Sequence, residues 1–308
     1  MPAMFKLAHI SDPHLGPLPA VKPHQLLSKR ILGYINWQKN RARTLTNTYL
    51  EGLVGDIHAH APDHICVTGD LVNIALPDEI VAAGKWLEQL GTPENVSVIP
   101  GNHDAYVPGS VKKAQVSWSA YMSGDQNDDL PSLNQHPFPY IRYRGNVAII
   151  GLSTARATGP FMATGHMSNA QLRALEDALK TLKDQGYFRI VMLHHPPVDG
   201  ATSWYKRFAE AGKFRAVIAQ NGAELILHGH THLDTKMGIA GPNGKVPVIC
   251  VPSASNSPGH HKPAARYNLF SISGEAGNWQ CQLTERGFKD EHSGVVTIGE
   301  QSLAIPNS

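Results

Sequence analysis

Cysteine is scarce in this chain. Only Cys66, Cys250 and Cys281 occur among its 308 residues, an odd number, far apart and each inside an apolar run. That pattern excludes a disulfide framework and a thiolate metal cage, and predicts three buried, reduced thiols. Long apolar runs are also missing. Nothing approaches the roughly 18 consecutive apolar residues a spanning helix requires, and the start Met-Pro-Ala-Met-Phe-Lys has no apolar signal core. A cytoplasmic location is therefore expected. Neither sign of charge dominates: 27 Lys plus Arg against 25 Asp plus Glu leave a net charge of +2, and no long lysine and arginine run marks a basic groove, so nucleic acid is not a favoured partner. No internal repeat is found. What remains, 42% hydrophobic and 17% charged, can bury an ordinary globular core.

Histidine is the residue in excess, with 17 copies, many of them beside aspartate, glycine or another histidine. Their setting follows from the apolar pattern. Short runs rich in Val, Ile and Leu at 5–11, 64–68, 96–100, 146–153, 189–193 and 224–227 predict strands covered on both faces. Between them lie helical patterns at 42–60, 77–90, 111–121, 168–185 and 203–221. The clearest is 168–185, where Ser168 and Gln171 form a capping box and Leu172, Leu175, Leu179 and Leu182 share one face. This alternation predicts a layered α/β architecture. Runs at 246–251, 267–272 and 279–283 have no helix between them and predict a second sheet with antiparallel neighbours. Residues 123–139 read as a long surface loop, and 288–308 as a less ordered tail behind a single domain spanning 1–287.

The ends of the predicted strands carry Asp12-Pro13-His14, Gly69-Asp70, Gly101-Asn102-His103-Asp104, His194-His195-Pro196-Pro197 and His228-Gly229-His230-Thr231-His232. Open sheets gather binding groups outside the carboxyl ends of their strands, so the five loops are expected to converge. Imidazole with carboxylate and no thiolate suits Zn, Fe or Mn. Seven candidate ligands, Asp12, His14, Asp70, Asn102, His194, His230 and His232, fit two ions better than one, with Asp70 the choice for a shared carboxylate. Gly69, Gly101 and Gly229 each precede a candidate ligand and let the backbone turn sharply there. If 230–232 stays extended, His230 and His232 point the same way, one for each ion.

These five blocks, in this order and with every ligand type present, resemble the calcineurin-like metallophosphoesterase superfamily over residues 5 to 255. The resemblance implies a four-layer αββα sandwich of two mixed β-sheets flanked by helices. It also implies a first ion on Asp12, His14, Asp70 and His232, and a second on Asp70, Asn102, His194 and His230, with a bridging hydroxide that attacks phosphorus. His103 is by resemblance the general acid for the leaving group, with Asp104 orienting it or shaping the loop. The His-His-Pro-Pro block and compact size look similar to bacterial class III cyclic-nucleotide phosphodiesterases and glycerophosphodiesterases, which makes a small phosphodiester the leading substrate. Lipid-linked or nucleotide pyrophosphates and phosphomonoesters are the alternatives, and a non-catalytic scaffold of the same fold is the opposing class.

Other residues carry two readings each. His195 could touch substrate or serve as a structural hydrogen-bonding group, and His228 could support the site from behind or fill the core. Asn73 could reach a phosphate oxygen or bond its own backbone, while His260 and His261 could border the pocket or face water. Finally, residues 22–43 form an amphipathic insert in which Leu27, Ile31, Leu32, Ile35 and Trp37 alternate with Lys29, Arg30, Lys39, Arg41 and Arg43. Such a segment covers the mouth of the site, packs on the sheet, or lies on a membrane surface through 26–43.

Overall fold

The computed structural model describes residues 4–41, 45, 47–126 and 137–306. The β-branched runs form the strands expected of them, because residues stiff at χ1 pack well on a pleated surface buried on both sides. In chain order the principal elements are β1 (Phe5–Ile10), α1 (Arg30–Asn36), α2 (Asn47–His60), β2 (His64–Val67), α3 (Pro77–Leu90), β3 (Val96–Val98) and α4 (Ser110–Ser117). Then follow β4 (Tyr140–Arg144), β5 (Val147–Gly151), α5 (Asn169–Asp184), β6 (Phe188–Met192), α6 (Ala211–Asn221), β7 (Leu225–His228), β8 (Thr235–Gly241), β9 (Gly244–Cys250), β10 (Arg266–Ser273), β11 (Gln280–Gly287) and β12 (Val296–Leu303).

The strands make two six-stranded mixed sheets, in the orders β12-β11-β10-β1-β2-β3 and β4-β5-β6-β7-β9-β8. Within the first, β1, β2 and β3 are parallel. Within the second, β5, β6, β7 and β9 are parallel. Alternation along the strands builds the layers. Val147, Ile149, Ile190, Met192, Leu225 and Leu227 face the first sheet and join a core with Leu7, Ile10 and Val67. Their neighbours Ala148, Ile150, Val191, Leu193 and Ile226 face outward onto Leu172, Leu175, Leu179 and Leu182 of α5 and Phe214 and Ile218 of α6. The result is the αββα sandwich that the family resemblance implies.

Three differences have physical causes. The C-terminal strands do not form a sheet of their own: β9 joins β7 in the second sheet, whereas β10 and β11 extend the first through β1. Residues 288–308, expected to be less ordered, contain β12, which pairs antiparallel with β11 across a bulge at Glu285/Arg286. An edge strand reading Val-Thr-Ile-Gly-Glu-Gln-Ser-Leu lacks the apolar run that marks a buried strand, so pattern alone does not reveal it. The box expected at α5 is half formed: Ser168 accepts from Gln171 N, but the Gln171 side chain bonds Ser153 N and O instead of Ser168. Residues 42–44 and 46 of the helix expected at 42–60, Arg43 of the insert and residues 127–136 of the expected loop lie outside the described residues. The three cysteines are buried and free, as expected.

Beneath α5 and α6, Arg189 and Glu224 form a buried ion pair, with Nη2 to Oε1 at 2.7 Å and Nε to Oε2 at 2.9 Å. The guanidinium also donates to the carbonyls of Leu179, inside α5, and Asn221, the last residue of α6. Breaking one side of such a pair strands a charge that water cannot reach, so Glu224→Ala is expected to cost about 3–5 kcal/mol. Urea denaturation measures it, and a loss below about 1 kcal/mol would show that the pair contributes no more than a surface bridge.

Candidate metal centre

The five ligand-bearing loops leave the carboxyl ends of β1, β2 and β3 in one sheet and β6 and β7 in the other. Backbone bonds stitch them together: Asp12 N donates to Gly69 O at 3.0 Å, His14 N to Asp70 O at 3.1 Å and Gly229 N to His194 O at 3.1 Å. Tight turns follow. Asp12, His14, Asp70, His230 and His232 all have positive φ, between 40° and 69°, a conformation that costs a non-glycine residue about 1–2 kcal/mol. Strain of this kind clusters at functional sites. The left-handed backbone at His230 and His232 means that 230–232 is not extended as expected.

Three glycines are required by space, Gly101 among them because a Cβ there would overlap the Asp70 carboxylate. A Cβ on Gly229 would collide with Ser11 Oγ and Asp12, and one on Gly69, itself at φ +94°, would meet Gly101 N at 2.6 Å. Asp104 holds the turn from beneath. Its buried carboxylate accepts from Gly101 N at 2.7 Å, Asp70 N at 2.9 Å, Leu71 N at 3.0 Å and Val72 N at 3.2 Å. Burial and the neighbouring Asp70 charge push this carboxyl up to about 7, against the pull of the N–H groups. Asp104 therefore shapes the loop that carries Asp70 and Asn102. Glu79 does the same one turn later, accepting from the N–H groups of Asn73, Ile74 and Leu76.

All seven candidate ligands come together. Asp12 Oδ1 lies 3.1 Å from His232 Nε2 and 3.9 Å from His14 Nε2, and those two ring nitrogens are 3.3 Å apart. Asn102 Oδ1 lies 2.7 Å from His230 Nδ1 and 3.2 Å from His194 Nε2. Asp70 Oδ2 sits between the two groups, 3.8 Å from His14 Nε2 and 3.4 Å from His194 Nε2. His230 stands with Asn102 and His232 with Asp12, so the two rings do not share one side as an extended segment would place them; the left-handed backbone at both residues sends them apart.

The histidines are held in a way that suits cations. A carbonyl can only accept, so His14 Nδ1 donates to Val72 O at 3.1 Å, His194 Nδ1 to Thr68 O at 2.6 Å and His230 Nε2 to Lys206 O at 3.0 Å. In each neutral ring the remaining nitrogen, which faces the cluster, carries a lone pair. Anchoring the far nitrogen on a carbonyl is how metal-binding histidines are oriented. Asp12 Oδ1 is buried with no hydrogen-bond donor, an oxygen that a cation would satisfy. Burial alone would raise the Asp12 and Asp70 carboxyls, but His232 beside Asp12, and His194 and His103 beside Asp70, hold both well below the usual range. Burial likewise opposes a charged His194, yet the Asp70 and Asp12 carboxylates outweigh it and lift that imidazole to about 9.

His103 stands at the edge of the cluster. Its N–H donates to Asp70 Oδ1 at 2.7 Å, its Nδ1 donates to Asn73 O, and its ring stacks on Tyr106 with centroids 5.5 Å apart. The other histidines are structural. His195 engages both ring nitrogens, with Thr154 Oγ1 at 2.8 Å and Ala163 O at 3.1 Å, and burial beside His194 drives it down to about 3. His228 is buried and bonds Gly229 O, while His260 and His261 are exposed. Asn73 bonds backbone, donating to Leu15 O at 2.9 Å. Sequence reasoning missed Ser11, whose hydroxyl donates to Asp12 Oδ2 at 2.6 Å, and Ser253, which donates to Asp12 O at 2.7 Å. No sequence signal separates these serines from ordinary ones.

Asn102 and His103 open into a cavity of about 320 Å³, lined further by Lys29, Trp37, Tyr106 and Lys206. The insert roofs it: Lys29 Nζ donates to Thr158 Oγ1 and Met162 O, both at 2.9 Å, and a Cβ on Gly33 would overlap Tyr106.

Comparison with known proteins agrees with this architecture. Solved structures that share the fold include a dimetal phosphatase from Danio rerio, at TM-score 0.59 and 12% identity, covering 96% of this chain and 98% of that one. A purple acid phosphatase from yellow lupin matches at TM-score 0.58 and 11% identity over 98% of this chain, which spans 54% of that enzyme. The NAD nucleotidase of Haemophilus influenzae matches at TM-score 0.50 and 11% identity, over 98% of this chain and 50% of that one. At such identities the likeness concerns the fold alone. No curated protein matches the sequence. The family model of the calcineurin-like phosphoesterases matches residues 5–234, from β1 through every candidate ligand, and the chain belongs to that family.

Proposed function

We propose that the chain hydrolyses small phosphodiesters with two metal ions, the first held by Asp12, His14, Asp70 and His232 and the second by Asp70, Asn102, His194 and His230. The observation that carries this reading is the set of three histidines pinned through one ring nitrogen to backbone carbonyls, each turning its other nitrogen toward Asp70, Asp12 or Asn102. Ions of the Mn, Fe or Zn kind bound there would lower the pKa of a shared water and offset charge on phosphoryl oxygens.

The chain's own residues supply the rest. Lys29 and Lys206 line the cavity and offer positive charge to an esterified phosphate. Because His103 Nδ1 is committed to Asn73 O, the proton that a charged ring can transfer is the one on Nε2. A general acid for an alkoxide leaving group needs such a proton. A cavity of about 320 Å³ is at the small-molecule end of the range, which supports a cyclic nucleotide or glycerophosphodiester over a polymer. Pyrophosphates and phosphomonoesters would use the same ligands, and a scaffold role would leave the strained, complete donor set without a purpose.

The protein reconstituted with Mn²⁺ is expected to turn over bis(p-nitrophenyl) phosphate and 3′,5′-cyclic AMP faster than p-nitrophenyl phosphate, with Asp70→Ala inactive and depleted of metal. Activity on the monoester alone would reassign it as a phosphatase, and a metal-loaded but inert protein would favour the scaffold. His103→Ala is expected to keep both metals by elemental analysis and lose about 10²- to 10⁴-fold in kcat on alkyl leaving groups, and far less on p-nitrophenolate. An equal loss on both would remove His103 from the acid role.

A further inference from the structure

Segments of the insert, around Phe161 and around Lys206 meet at the mouth of the cavity. Between Asp12 and Glu51 the sequence has no Asp or Glu, and the described side chains there include Lys22, Lys29, Arg30 and Lys39. Arg156 precedes Phe161 and Arg207 follows Lys206, with Asp199 and Glu210 flanking that last segment. Where these cations are anchored, their partners are neutral: Lys29 donates to Thr158 and Met162, Arg156 to Thr164, and Arg207 to Trp204 O. Glu79 lies close enough to act on Arg30 and Asp199 shares a pocket with Arg207, so the excess positive charge at the mouth rests chiefly on Lys29 and Lys206.

The same rim exposes large apolar side chains. Leu27 is 85% exposed, Phe161 81% and Trp204 67%. In α1, Ile31 and Ile35 lie one turn apart and are exposed, on the side away from Lys29 and Gly33, which pack toward Tyr106. The pieces are joined. Lys29 ties the insert to Thr158 and Met162, and Ala163 N and Gly165 N donate to Tyr205 O and Arg207 O at 2.8 and 3.0 Å. Leu32, Trp37, Phe161, Met162 and Lys206 line one cavity mouth together. No helix among the described residues can cross a membrane. An apolar patch with lysines at a site entrance instead fits a surface that is apolar beneath and anionic above.

We propose that this rim docks on an anionic lipid bilayer and presents the cavity to the phosphodiester of a lipid headgroup, the second part resting on the activity proposed above. In that reaction the oxygen of one water joins phosphorus, one P–O ester bond breaks and the leaving alcohol oxygen takes a proton. Charge complementarity selects the bilayer over a second copy of the chain, whose rim would carry the same sign.

The experiment is co-sedimentation of the metal-loaded protein with phosphatidylcholine vesicles, with and without phosphatidylglycerol, at low and high salt. It compares wild type with Ile31→Glu/Ile35→Glu and reads bis(p-nitrophenyl) phosphate turnover, phosphatidylglycerol hydrolysis and Tm in parallel. Expected are at least tenfold stronger binding to the anionic vesicles, its decline with salt, and at least a tenfold loss in the double variant, whose Tm and soluble turnover stay unchanged. Wild type remaining in the supernatant, or a variant that binds equally well, overturns docking. A dimer that the variant converts to monomer, without vesicle binding, assigns the patch to a second copy and also overturns it. Soluble turnover without vesicle binding rejects docking alone. Vesicle binding with soluble turnover but intact phosphatidylglycerol rejects the headgroup substrate, and vesicle binding with no turnover of any ester rejects the activity.

Discussion

The buried carboxylate of Asp70 is the constraint around which the molecule is arranged. Removing a charged carboxylate from water is costly unless it is paired and hydrogen-bonded. Here Oδ1 accepts the His103 N–H, while Oδ2 faces His14 from one sheet and His194 from the other. The partners come from different layers of the sandwich, so the charge is tolerable only when the two sheets are packed face to face. The core and the centre therefore support each other. Inward-facing Val147, Ile149, Ile190 and Leu225 bring the strand ends to a common height, and the polar groups there find partners only because the strands have met.

Holding that arrangement takes a second tier of residues that never enter the cluster. Asp104 collects the N–H groups of Asp70, Leu71, Val72 and Gly101, and Glu79 collects those of Asn73, Ile74 and Leu76. These bonds offset the left-handed backbone at Asp70. The backbone carbonyls of Thr68, Val72 and Lys206 then fix three imidazoles. Rigid donors of this kind are preorganised for cations, since little reorganisation is left for the binding step.

Much of this was legible in the sequence because chemistry-bearing residues stand immediately after apolar runs, where a strand must end and its loop must turn. Asp12, Asp70, Asn102, His194 and His230 are each placed by that logic. What was not legible depends on direction within a turn. His194 and His195 are adjacent and chemically identical, yet one ring meets Asp70 and the other Thr154 and Ala163. Only the path of the chain after β6 distinguishes them. The edge strands β8 and β12 escaped notice for a related reason: with one edge unpaired and mixed polar composition, they carry no periodic apolar signal. The allocation of β9 to one sheet and β10 to the other is decided by pairing across long sequence separations, which local pattern cannot express.

The insert shows how one segment can serve two surfaces. Its inner face is committed: Lys29 reaches Met162 and lies 4.8 Å over the Tyr106 ring, Arg30 caps the carbonyls of Ile74 and Ala75, and Gly33 admits Tyr106. Tyr106 in turn stacks on His103. A displacement of the insert must therefore be felt at the residue proposed to protonate the leaving group, through a chain of two contacts. Burial that disfavours a charged Lys29 is accepted for this connection, whereas Ile31 and Ile35, one helical turn apart on the opposite face, make no demand on the site at all. The two faces can be altered independently, so the docking proposed for the rim and the positioning of His103 are separable in one short helix.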